Sequence, residues 1–251
     1  MRRVTSPYAQ DGFRVGFDWG PVGADVVAGA IVAVVDVLSF TTTVTVATDL
    51  GIDVYPYRWR DESAVAYAKQ YDAVLAVGRS AAGPGDVSLS PATIRQARGI
   101  KRLVLPSPNG STIAQQLSDS GSTVIAVSLR NRQAAADWVN ERRAEDPELK
   151  VVAIAAGERW KDGSLRPAVE DLWGAGGFLS ALGREGMSPE ARAAAAAYED
   201  VASALPSVLH ECAGGRELTQ YGFPQDVAIA AEVDSSNSVP VLEAGRMTAS
   251  T

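Results

Sequence analysis

The chain has 251 residues, 46% of them hydrophobic and 21% charged, the balance of a folded globule with a sizeable core. Its 30 acidic residues outnumber 23 basic ones, and the formal charge of -7 argues against polyanionic partners: no nucleic acid and no anionic membrane surface are expected. One Cys and one His rule out an internal disulfide framework, a cysteine-rich zinc site and a multi-histidine metal centre, so carboxylates, hydroxyls, amides and backbone groups must carry any chemistry.

In chain order, apolar runs rich in Val and Ile occupy residues 14–18, 30–37, 52–57, 73–77, 102–105, 123–127, 151–156, 227–231 and 239–242. Their apolarity is continuous rather than alternating, which predicts strands covered on both faces. Helical patterns fall between them. Residues 61–70 open on Asp61-Glu62, which suits the positive end of a helix dipole. Residues 131–145 set Ala135, Trp138 and Val139 opposite charged positions. Ser188 and Pro189 read as an N-cap and first turn, and the alanine-rich stretch to Ala204 continues the helix. Pro- and Gly-rich residues 82–91 and 157–167 are predicted loops. Alternating strands and helices predict an α/β fold, a three-layer α/β/α arrangement with a mainly parallel or mixed sheet. One domain over residues 1–251 is expected, with two closely packed lobes as the alternative. No apolar run reaches the roughly 18 residues of a membrane span. The basic start lacks the apolar core of a secretory signal, so a cytoplasmic protein is expected.

In a sheet of this class, ligands gather where strands end. The run AIVAVVDVLSFTTTVTVA, residues 30–47, is apolar up to Asp36. A carboxylate there is expensive to bury without a partner. Ser39, Thr41, Thr42 and Thr43 follow at an expected helix start, whose free N–H groups suit an anion. The plainer alternative is an Asp and Thr residues that cap their own turns. Residues 103–114 run from a strand into Ser107-Pro108-Asn109-Gly110-Ser111, where Asn-Gly permits amides to turn inward around an oxyanion. The alternative is an ordinary turn capped by Ser111. Residues 151–178 end a strand at Ala156-Gly157-Glu158 and later place Glu170 beside Asp171. Adjacent carboxylates are harmless in solvent and useful around a hard divalent cation. Gly174, Ala175, Gly176 and Gly177 follow, small enough to let this helix approach another backbone. The loop at residues 78–91 carries Arg79, Asp86, Ser90 and Pro91; it is not a dinucleotide fingerprint, because position 88 is Ser rather than Gly. His210 and Cys212 are two apart and would face different ways on a helix, so a partly buried surface pair is expected rather than a catalytic dyad.

Taken in order, these segments resemble the 2-phosphosulfolactate phosphatase family from about Ala30 to Pro240. The family pattern Asp-Val-Leu-Arg-Ala-Ser/Thr-Thr-Thr is matched by Asp36-Val37-Leu38-Ser39-Phe40-Thr41-Thr42-Thr43. A Gly-Phe-Asp-x-x-Asn-Ser-Pro loop resembles Gly85-Asp86-Val87-Ser88-Leu89-Ser90-Pro91. A Thr-Thr-Asn-Gly-Thr turn resembles residues 107–111, and Ser-Leu-x-Asn resembles Ser128-Leu129-Arg130-Asn131. Ala156-Gly157, Glu170-Asp171, Ala175-Gly176, Gly222 and Asp226-Val227 continue the series.

The resemblance implies a three-layer fold and a magnesium-dependent phosphatase acting on a small anionic phosphorylated substrate, a phospho-sulfonate in the family, within coenzyme M biosynthesis. A homodimer is a further expectation. Asp36, Glu170 and Asp171 would hold Mg²⁺. Thr41, Thr42, Asn109, Gly110, Ser111, Arg79 and Arg130 would bind the phosphorylated substrate. A water activated at the metal is the expected nucleophile, and Asp36 attacking covalently is the alternative. Ser39 stands where the family has Arg, Phe40 where it has a small residue, Leu89 where it has Asn and Ala155 where it has Cys. Loss of an Arg–phosphate contact would remove about 1.5–3 kcal/mol of charge-assisted bonding. A different phosphorylated metabolite, or an anion-binding protein without catalysis, is therefore the alternative function.

Overall fold

Val-rich strands buried on both faces organise the molecule. A computed structural model describes residues 7–25, 29–58, 61–118 and 120–250; the basic start at residues 1–6 lies outside them. The strands are β1 (Val15–Trp19), β2 (Ile31–Val35), β3 (Asp53–Tyr57), β4 (Val74–Leu75), β5 (Arg102–Pro106), β6 (Thr123–Val127), β7 (Val151–Ala155), β8 (Glu158–Arg159), β9 (Leu165–Arg166), β10 (Val239–Glu243) and β11 (Arg246–Ser250). The helices are α1 (Gly20–Ala24), α2 (Phe40–Asp49), α3 (Glu62–Gln70), α4 (Pro91–Gln96), α5 (Gly110–Leu117), α6 (Arg132–Glu145), α7 (Val169–Leu182), α8 (Pro189–Val201), α9 (Leu205–Glu211), α10 (Ala213–Gln220) and α11 (Pro224–Ala230).

Among the described residues, nine strands form one mixed sheet in the order β1-β7-β2-β6-β10-β11-β3-β5-β4. β1, β7, β2 and β6 are parallel, as are β3, β5 and β4. The antiparallel hairpin β10–β11 joins the two blocks, pairing Val241 with Ile125 on one side and Met247 with Val54 on the other. Every residue of β2 is buried because both faces are covered. Ile31, Ala33 and Val35 pack with Trp138 of α6, Phe178 of α7 and Ala194 of α8, while Val32 and Val34 pack with Val44 of α2 and Ile113 of α5. This is the three-layer α/β/α architecture expected from the continuous apolar runs.

Local signals place the helices. Asp61 caps α3 through Ser63 N–H, and Ser188 caps α8 through Ala191 N–H. The small residues of α7 do allow close approach: a β-carbon at Gly176 would overlap the Ala194 carbonyl of α8, and one at Gly174 would press into Val35 and Val37.

Two expectations are corrected. Residues 227–231, expected as a strand, lie largely in α11. Pro224 opens that helix, Asp226 sits in its first turn, and five apolar residues are too few for periodicity to separate strand from helix. The expected loop at 157–167 carries the β8–β9 hairpin, which pairs Glu158 with Arg166. Among the described residues no helix is long and apolar enough to cross a membrane.

Candidate active site

Residues that follow three strands meet at one place. Asp36 comes directly after β2 and is 5% exposed. Its Oδ1 accepts from Phe40 N–H (3.1 Å) and its Oδ2 from Gly110 N–H (2.9 Å), which ties the start of α5 to the end of β2. Glycine is required at position 110 by close approach: a β-carbon would overlap the Phe40 ring and stand 2.9 Å from Asp36 Oδ2. Thr41 and Thr42 turn their hydroxyls back onto this bend. Thr41 Oγ1 donates to the Asp36 carbonyl (2.8 Å) and Thr42 Oγ1 to the Val37 carbonyl (2.7 Å). Ser111 Oγ likewise donates to the Leu105 carbonyl (3.1 Å). These hydroxyls brace the turns around the site, and the Gly110 amide is taken by Asp36.

Asp171 has a bracing role as well. Its Oδ1 accepts from Val37 N–H (2.7 Å) and its Oδ2 from Gly157 N–H (2.9 Å), so one buried carboxylate pins α7 to the ends of β2 and β7. Its neighbour Glu170 is 3% exposed, and Oε2 has no hydrogen-bond partner among the described residues. The start of α10 presses on it: the Cys212 thiol lies beside the carboxyl, and a β-carbon at Gly214 would overlap Oε1. Glu158, the first residue of β8, accepts from Asn109 Nδ2 (2.9 Å).

The carboxylates share one electrostatic problem. Burial pushes Asp36, Glu158 and Glu170 above the ordinary carboxylate range and Asp171 well above it. Mutual repulsion adds to this, Asp36 acting on Glu158 and Asp171, and Glu170 acting on Asp36. Burial, with Glu170 alongside, drives the Cys212 thiol up to about 12, so it stays protonated.

Arg79 brings the opposing charge. Its Nε donates to Asp226 Oδ2 (3.0 Å) and its Nη2 to Ser39 Oγ (2.6 Å). Asp226 is fully buried in α11 and also accepts from Ser90 Oγ. Nη1 makes no hydrogen bond among the described residues. A cavity of about 510 Å³ opens here, lined by Arg79, Glu158 and Glu170 together with Leu38, Glu217, Leu218, Tyr221 and Phe223.

The structure therefore brings Asp36, Glu170, Asp171, Asn109, Gly110 and Arg79 together. Arg130 stands apart from them. Its buried guanidinium bonds Thr45 and Asp49 (both 3.2 Å) and reaches Glu232 (3.4 Å), an ion-pair cluster at the far end of α2 whose carboxylates are part-exposed. Sequence reasoning gave no site role to Glu158, Gly214, Glu217 or Asp226. Glu158 was open to discovery, since it follows a strand end. The others are brought in by helices α10 and α11, and nothing local in the sequence reports their destination. Cys212, expected in a partly buried surface pair with His210, is buried, and its thiol caps α10 by accepting from Gly215 N–H.

The chain is similar to known proteins along most of its length. It is 33% identical over 221 residues to a probable 2-phosphosulfolactate phosphatase of Thermus thermophilus, covering 84% of this chain and 87% of that protein. It is 25% identical over 146 residues to a protein of the same name from Microcystis aeruginosa, covering 56% of each. Residues 22–245 match the family model for 2-phosphosulpholactate phosphatase, and they include every residue of the carboxylate cluster and Arg79: this chain belongs to that family.

Proposed function

We propose that the protein is a phosphoric monoester hydrolase, a magnesium-dependent phosphatase that cleaves a small acidic phosphate monoester of the 2-phosphosulfolactate type. The observation that carries this reading is Glu170, a buried carboxylate whose Oε2 has no hydrogen-bond partner among the described residues and which lines a cleft with Glu158 and Arg79. Family membership supports phosphate-ester chemistry.

The donor chemistry fits a hard divalent cation. A cation would partner Glu170 and relieve the repulsion that raises its neighbours. No group of three or more His, Cys, Asp or Glu side chains among the described residues is disposed to cage a metal. Magnesium does not need such a cage, because it is commonly held by one or two carboxylates, waters and substrate oxygens. Glu170 would be the carboxylate ligand; Asp36 and Asp171, each with both oxygens on backbone amides, hold the turns beside it. When bound, magnesium neutralises phosphoryl oxygens and polarises the P–O bond.

The chain's own groups do the rest. Arg79 offers Nη1 to the anionic substrate, held at the cleft by Asp226 and Ser39. A water oxygen attacks phosphorus, the ester P–O bond breaks, and the alcohol leaves. Glu158, held by Asn109 and raised by burial, takes the water's proton and returns it to the departing alkoxide. Water is favoured over Asp36 as nucleophile, since both Asp36 oxygens accept backbone amides. Phosphate release with and without magnesium tests the reading. Turnover should require the metal and fall on the order of 10²-fold in Glu170→Gln; unaltered turnover in that variant would refute the assignment.

The alternative, an anion-binding protein without catalysis, draws on Ser39 in place of the family Arg. Against it stands Arg79, whose guanidinium reaches Ser39 from another loop and keeps a cation at that position.

A further inference from the structure

We infer, resting on the phosphatase reading above, that Arg166 on the β8–β9 hairpin binds the substrate's second acidic group, the carboxylate or sulfonate that is not transferred, and so sets a preference for phospho-acids over simple phosphate esters. The hairpin's geometry places it there. β8 and β9 run antiparallel, with Glu158 opposite Arg166 and Arg159 opposite Leu165. Residues directly opposite share a face of a hairpin, and successive residues along a strand alternate. One face carries Leu165, seated on the main chain of Gly20 and Gly157: a β-carbon at either would crowd its side chain. The other face carries Glu158 and Arg166. Glu158 lines the cleft, so Arg166 is turned to the same side. Trp160, two residues beyond Glu158 and 57% exposed, shares this face, and the Arg166 guanidinium carbon lies 5.8 Å from the centre of its ring.

The guanidinium is uncommitted. Among the described residues it makes no hydrogen bond and no ion pair, and its contact is the Trp160 ring. Its charge nonetheless reaches both Glu158 and Glu170, pulling their carboxyls down against the effect of burial. Arg79, by contrast, is held through Nε by Asp226 and through Nη2 by Ser39. A phosphate monoester is close to doubly negative at neutral pH, and each carboxylate or sulfonate on its body adds a further charge. The cleft meets that charge with Glu158, Glu170 and Glu217 in its lining. An acid group beyond the phosphoryl needs a cation of its own, and the fork of donors on Arg166 matches an oxyanion.

Arg166→Gln tests this, assayed in excess magnesium for phosphate release from 2-phosphosulfolactate and from 2-phospholactate, with inorganic phosphate as a competitive inhibitor that lacks a second acid. Because no hydrogen-bond partner is orphaned, the thermal midpoint of the variant should match the wild type. KM should rise about tenfold or more, with kcat and the inhibition constant of phosphate little changed. A rise with 2-phosphosulfolactate alone assigns the sulfonate to Arg166, and a rise with both substrates assigns the carboxylate; either supports the inference. An unmoved KM overturns it and leaves the phosphatase intact. So does an equal weakening of phosphate inhibition, or a fall in kcat alone, because Arg166 would then act through Glu158 and Glu170. No release by the wild type from either substrate overturns the phosphatase reading and this inference with it.

Discussion

Glu170 concentrates the conflict between stability and function. A buried carboxylate with an unpartnered oxygen destabilises the fold unless something binds it. Glu170→Gln should therefore raise the thermal midpoint of the metal-free protein. Removing about 1 kcal/mol of unfavourable burial corresponds to roughly 2–4 °C in a chain of this size. Differential scanning calorimetry reads this, and the same variant should lose turnover. The pH dependence has a definite sign. Asp36, Glu158, Glu170 and Asp171 are all raised by burial above ordinary values of 3.8 for Asp and 4.5 for Glu. Between those values and the raised ones the folded state holds more protons than the unfolded state, so stability falls as pH rises through that window. Metal-free thermal midpoints should decline from mildly acidic to neutral pH, with a shallower slope in Glu170→Gln. Asp226 acts through Arg79: Asp226→Asn should raise KM by about tenfold with kcat far less altered, because it loosens a binding guanidinium rather than the reacting atoms.

At the scale of elements, the site depends on how closely its helices approach. Asp171 satisfies two buried amides at once, from Val37 and Gly157. Asp171→Ala would orphan both, at about 1–3 kcal/mol each, and urea unfolding should register the loss. The strands were legible because Val-rich runs such as residues 30–35 stay apolar on both faces, and Asp36 stood out as the first polar residue after one of them. The caps at Asp61 and Ser188 were legible because capping is local chemistry. Residues 227–231 were not, because five apolar residues fit a helix turn as well as a strand and Pro224 decided the matter. Thr41 and Thr42 were legible as site residues, but their hydroxyls face the backbone of the turn they stabilise. Arg130 shares its neighbourhood in sequence with a family motif, yet packing commits it to Asp49 and Glu232.

Across the whole molecule, one acidic cleft is assembled from residues that are distant in the chain. Asp36, Gly110 and Glu170 meet because β2, β5 and α7 end or begin there, which strand-end reasoning could anticipate. The contribution of α10 and the turn after it could not be foreseen, since only the tertiary packing of the carboxyl-terminal helices brings Leu218 and Phe223 to the cleft. Binding energy for a cation in this cleft is also folding energy. Magnesium at 100 times its dissociation constant should stabilise the protein by about 2.7 kcal/mol, an effect expected to vanish in Glu170→Gln. The most direct measurement is a calorimetric titration of magnesium into the wild-type protein and into Glu170→Gln, read beside phosphate release from 2-phospholactate in the same solutions. Saturable binding and turnover in the wild type, with both lost in the variant, is the expected result; equal binding or equal turnover in the two proteins would contradict an acidic, metal-gripping phosphatase cleft.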